Sequence, residues 1–67
     1  MIEYTNSQFT ALVNEHTHSE RDRNILIDRY VNGLLFKELA DKYGLSERRI
    51  KVICYREFDK IAKLINI

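Results

Sequence analysis

Arg48, Arg49 and Lys51 stand within four residues of one another, directly after Gly44-Leu45-Ser46. Clustered cations of this kind bind anions, and a guanidinium in particular can grip phosphate oxygens or a guanine edge in two-point fashion. Val52 and Tyr55 follow in the same stretch, and Arg56 adds a further charge. Other chemistry is thinly represented. His16 and His18 form an H-x-H pair with no cysteine nearby, which reads as a polar connection and not as a catalytic or metal-binding pair. Cys54 is the one cysteine, so an internal disulfide is excluded and a zinc site lacks ligands. No catalytic constellation and no cofactor are expected.

The charge is unevenly distributed. The net value is only +1, yet residues 1–19 hold Glu3 and Glu15 with no lysine or arginine. Residues 46–67 carry Arg48, Arg49, Lys51, Arg56, Lys60 and Lys63 against Glu47, Glu57 and Asp59, a balance of +3. A basic C-terminal third suits an anionic partner, although a solvated helix face has the same charge pattern. No apolar run is long enough for a membrane span and no stretch resembles a leader peptide, so a cytoplasmic setting is expected.

These residues need elements to position them, and the apolar spacing points to helices throughout. At 67 residues the chain is expected to form a single all-α domain that buries about 60% of its unfolded surface. Proline is absent and the two glycines stand alone, at 33 and 44. Phe9, Leu12 and Val13 make the stripe of a first helix over about 6–15, with Thr5 and Gln8 at capping-box spacing. Ser19 is the expected N-cap of a second helix, with Glu20 and Asp22 in its first turn. Ile25, Leu26, Tyr30 and Val31 form its stripe, and Gly33 ends it. A third helix begins near Leu35 or Phe36, where no good capping side chain precedes it, and stops at Gly44. Ser46 caps a fourth that continues to about Leu64.

Phe36 to Tyr55 fits a helix-turn-helix. Leu39 and Ala40 face inward on its first helix, and Ala40 is small where two helices must cross closely. Gly44 falls where the chain needs a positive φ. Leu45 plugs the corner, and Ile50 and Ile53 pack back onto Leu39 and Ala40. An ordinary helical hairpin with a glycine turn is the plainer alternative, but six constrained positions agree with the helix-turn-helix. Such a unit exposes the outer face of its second helix to a DNA major groove.

At about 100° per residue, Ile50, Ile53, Cys54, Phe58, Ile61, Leu64 and Ile65 fall on one side of the fourth helix. Arg48, Lys51, Val52 and Tyr55 fall on the other. Arg48 and Lys51 suit guanine edges or phosphates, Val52 a thymine methyl and Tyr55 a phosphate. The candidate DNA contacts are therefore Ser46, Glu47, Arg48, Arg49, Lys51, Val52, Tyr55 and Arg56. Cys54 is expected to be an inert buried thiol. Glu57 falls on the buried side, with Arg29 or Lys60 as candidate partners.

From Ser19 to Ile65 the sequence resembles region 4 of bacterial sigma-70-type transcription factors. The resemblance is carried by "ERDRNILIDRYVNGLLFKELADKYGLSERRIKVI" and the trailing "REFDKIAKLI". Arg29-Tyr30, Gly33, Glu38, Ala40, Gly44-Leu45-Ser46, Arg49-Ile50 and Ile53 match the family frame. The resemblance implies a helix-turn-helix that recognises a promoter element and touches the RNA polymerase β flap. The reading face departs from the pattern. The usual arginine-then-glutamate pair is Glu47-Arg48 here, in reversed order; the second arginine is Lys51 and the glutamine after it is Val52. The packing frame is therefore implied, and the family's −35 hexamer as target is not. Nothing resembles the promoter-melting region of the family, so a complete sigma factor is not expected.

Two functions follow as expectations. One is a small double-stranded-DNA-binding transcription regulator of the size carried by phages and mobile elements. The other is a mimic of region 4 that docks on RNA polymerase or another regulator with little DNA binding. The N-terminal helix, with the connection to residue 18, is expected either to cover the core or to supply half of a homodimer interface.

Overall fold

A computed structural model describes residues 6–65 of the chain, four helices joined by short connections. They are α1 (Asn6–His16), α2 (Glu20–Tyr30), α3 (Phe36–Tyr43) and α4 (Glu47–Ile65). Thr5, the expected partner of Gln8 in the first cap, lies outside the described residues, as do the side chains of Leu64 and Ile65.

The helix boundaries follow from local chemistry. The Ser19 hydroxyl accepts from the Asp22 amide at 3.3 Å and opens α2 as expected. That helix ends at Tyr30, earlier than Gly33, with the Val31 amide donating to the Ile27 carbonyl at 2.9 Å. Gly33 (φ 76°) then turns the chain, and the Leu34 amide reaches back to the Asp28 carbonyl at 3.0 Å. The start of α3 lacks a capping side chain at Leu35, which is a non-polar residue. Glu38 takes over part of that role: its carboxylate accepts from the Leu35 amide at 2.8 Å.

Two adjoining apolar clusters hold the helices together. Ile25, Leu39, Ile50, Ile53 and Cys54 are fully buried in the first, with Leu34, Phe36, Ala40, Tyr43 and Leu45 packed around them. Val13, Leu26 and Ile61 form the second, under Phe9, Leu12 and Ile27. Tyr30 touches both clusters and joins them. Phe58, placed by its angle on the buried side, is 38% exposed. It sits at the rim instead, its ring 4.8 Å from that of Tyr30 and 6.3 Å from that of Phe9.

The second cluster accounts for α1. Of its two expected roles, covering the core is the one observed, because Val13, Phe9 and Leu12 are used within the protomer. Its outward residues include Asn6, Ser7, Ala11 and Asn14, which are polar or small. A homodimer built through this helix finds no support in that surface.

Buried carboxylates tie the frame across the apolar layer. Asp28 on α2 accepts from Lys42 Nζ at 2.7 Å and Tyr43 OH at 2.5 Å, both in the last turn of α3. Asn32 Nδ2 donates to it at 3.0 Å. Asp22, expected only as a first-turn acid, is buried, and Arg21 and Arg56 approach it at 3.2 and 3.5 Å. Through these contacts the end of α3 is fixed to α2, and the middle of α4 to the start of α2.

Candidate nucleic-acid interface

The direction of α4 is set at the turn. Gly44 has φ 67° and ψ 33°, and its amide donates to the Ala40 carbonyl. The Leu45 amide donates to that same carbonyl at 3.1 Å, the closing bond of a left-handed helix cap. Leu45 packs onto the first apolar cluster, so the chain cannot swing away from α3. Ser46 then starts α4, its hydroxyl accepting from the Arg49 amide at 3.1 Å. The Ser46 side chain is thereby occupied as a cap, which fixes where Glu47, Arg48 and Arg49 project.

The two sides of α4 differ as the spacing requires. Ile50, Ile53 and Cys54 have no exposed surface. Glu47, Arg48, Arg49 and Lys51 are exposed, and Val52 and Tyr55 keep 45% and 59% of their surface in solvent. An exposed Val52 flanked by cations has the character of a base-edge surface, and the Tyr55 hydroxyl end stands in solvent beside it.

The cations of α4 fall into two groups. Arg56 is drawn inward, 3.5 Å from Asp22 and 3.6 Å from Glu57. Lys60 lies 3.6 Å from Glu57, and Lys63 lies 3.0 Å from Asp59. Among the described residues, Arg48, Arg49 and Lys51 have no carboxylate within ion-pairing distance. Within α4 the unpaired positive charge is therefore gathered in the first turns, where the amino end of the helix dipole has the same sign.

Two pieces of chemistry differ from the sequence reading. Glu57 is paired with Lys60, as one alternative held, but Arg56 is its other neighbour and Arg29 is not. Arg29 instead donates to the Leu34 carbonyl at 3.0 Å and lies 4.1 Å from the Phe36 ring centroid. That ring also meets Lys51 Nζ at 5.6 Å and the Tyr55 ring at 6.0 Å. Neither Phe36 nor Arg29 is legible as part of the site from spacing, because three helices must pack before they meet.

The remaining candidates carry ordinary environments. Burial pushes the Cys54 thiol up, away from the reactive thiolate; the charge of Asp22 adds to this and that of Arg29 opposes it. His16 is half-buried, 4.0 Å from Glu15, and His18 is exposed. Among the described residues no group of three histidine, cysteine or acidic side chains is placed to hold a metal ion. No helix among them is long and apolar enough to cross a membrane.

No curated protein and no solved structure matched the chain. A family model did, over all of α2 and α3, the turn and most of α4, and it describes a DNA-binding helix-turn-helix domain and not an enzyme. Residues 19–63 match sigma-70, region 4, and the chain belongs to that family.

Proposed function

We propose that this chain is a sequence-specific, double-stranded-DNA-binding regulator of transcription that inserts the first turns of α4 into the major groove. One observation carries the reading: the unpaired Arg48 and Lys51 share one face with the exposed Val52 and Tyr55, opposite the buried Ile50–Ile53–Cys54 stripe, and the unpaired Arg49 flanks that face. In this arrangement Arg48 and Lys51 contact guanine edges or phosphates, and Arg49 contacts phosphate. Val52 meets a thymine methyl and Tyr55 a phosphate. Ser46 holds the helix start, Glu47 lies beside the entering edge, and Arg56 is a reserve contact held by Asp22 and Glu57. The reading places the chain in the cytoplasm with the DNA, as a regulator of the kind expected of phages and mobile elements. Selection from a random duplex pool tests it. A single enriched motif is the expected result, with one position relaxed in Arg48→Ala; a pool without enrichment would reject it.

The exposed apolar residues favour a second reading. Leu35 is 62% exposed and lies one residue before Phe36, whose ring meets that of Tyr55. Such groups also suit a protein partner, and RNA polymerase is the partner that the family suggests. A mimic of this kind would retain polymerase on an affinity column and leave the duplex pool unselected.

A further inference from the structure

Phe36 occupies the first position of α3, yet its ring is a meeting point for three helices. Arg29 of α2 approaches the ring centroid at 4.1 Å and Lys51 of α4 approaches it at 5.6 Å, both within the range of cation–aromatic attraction. Tyr55, one turn after Lys51, meets the ring edge-on at 6.0 Å and 76°. Arg29 is itself anchored by its bond to the Leu34 carbonyl, just before α3. Neither Arg29 nor Lys51 has a carboxylate within ion-pairing distance among the described residues. The aromatic face is thus the attraction shown for the Lys51 ammonium, which otherwise ends a long flexible stem.

We propose that Phe36 is a positioning residue for the reading face: its ring is the shared platform that holds Lys51 and Tyr55 at fixed places on α4, with Arg29 bracing the platform from α2. The inference rests on the DNA-binding reading above and deepens it. A side chain ordered before the duplex arrives loses less freedom on binding, so the ring raises affinity without touching DNA. Two cations sharing one ring also repel each other, which leaves both suited to a phosphate approaching from outside. The role is distinct from core packing, because an aliphatic residue of similar bulk could cover the Ile25–Leu39–Ile50 cluster equally well.

The test compares Phe36→Leu, Phe36→Tyr and wild type, using a labelled duplex from the chain's own upstream DNA. Phe36→Leu is expected to weaken binding about five-fold, and Phe36→Tyr to stay within about two-fold of wild type. In a Lys51→Ala, Tyr55→Ala background the leucine substitution should cause no further loss, since the groups it positions are gone. Nuclear magnetic resonance of the free protein supplies a readout that needs no DNA: the Lys51 ε-methylene protons should lose their ring-current shift in Phe36→Leu and keep it in Phe36→Tyr. An equal loss in the substituted background would overturn the positioning role, as would an unchanged ε-methylene shift. If wild type binds and depends on Arg48 but not on Phe36, the platform alone is rejected. If wild type fails to bind any duplex, the DNA reading and the platform fall together.

Discussion

Asp28 shows how one side chain can set the pH range of the fold. Burial raises its carboxyl, but hydrogen bonds from Lys42, Tyr43 and Asn32, with the Lys42 charge, outweigh that and leave it below its ordinary value of 3.8. A carboxyl lowered by folding stabilises the native state above its unfolded value and loses that contribution as pH falls through the folded one. Tyr43 is the opposite case. Burial, its bond to Asp28 and the Asp28 charge push it up to about 12, from 10.0. Its contribution is complete below pH 10.0 and disappears as pH rises towards about 12. Asp28→Asn is expected to cost about 1–3 kcal/mol at neutral pH, because charge-assisted bonds are exchanged for an amide whose donors face donors. Thermal melting across pH checks both edges: the variant should lose less stability than wild type below pH 4 or so, and less again between 10.0 and 12. Parallel curves for the two proteins would show that the bonds to Asp28 are not what couples stability to pH. Arg48 has a different duty. It is exposed and far from the buried stripe, so Arg48→Ala should leave the melting curve in place. It should weaken specific DNA binding by about 1–3 kcal/mol if the guanidinium pairs with a base edge. Full binding by this variant would remove Arg48 from the reading face.

The turn between α3 and α4 behaves as a unit, and Gly44 is the position in it that a side chain would strain. A Cβ added there would meet nothing within 4 Å, so a substitution has room. Its φ of 67° is the obstacle, because the left-handed conformation costs an L-residue about 1–2 kcal/mol. Gly44→Val should therefore lower the melting midpoint clearly, and Gly44→Asn much less, since asparagine tolerates this region. Equal midpoints for the two variants would mean that some other contact controls the turn. Much of this element was legible in the sequence. Ala40, Gly44, Leu45 and Ser46 act through neighbours three to five residues away, and short-range spacing reports such bonds directly. The stripe of Ile50, Ile53 and Cys54 was legible for the same reason, as was its opposite face. Phe58 was misplaced because an angle on a helix says which way a residue points, not how far the neighbouring helices extend to cover it. Asp22, Asp28 and the Phe36 platform depend on residues up to 34 positions apart, as in the pairing of Asp22 with Arg56. Periodicity within one helix carries no record of such meetings.

Across the whole molecule, charge is nearly balanced, so a long-range field cannot by itself hold the protein on DNA. What matters is which cations are left uncompensated by the fold. Arg56, Lys60 and Lys63 stand beside Asp22, Glu57 and Asp59, so a phosphate would have to compete with those carboxylates for them. Among the described residues, Arg48, Arg49 and Lys51 have no such competitor within ion-pairing distance. Each phosphate neutralised contributes about −0.9 to the slope of log affinity against log salt, so three contacts give a slope of about −3. Recruitment of Arg56 from its internal acids would move the slope towards −4, by the same counting, and would also break the tie between α2 and α4. Titration of labelled upstream duplex at several salt concentrations measures this directly. Arg56→Gln is the informative companion: a slope that stays near −3 in both proteins places Arg56 in the frame, whereas a shallower slope in the variant alone places it on the DNA. Weak binding that is flat across the salt series would contradict the groove-reading role of α4. In that case the exposed Leu35, Val52 and Tyr55 become the surface of a protein-binding module, and retention of RNA polymerase by wild type and its loss in Tyr55→Ala is the result expected of it.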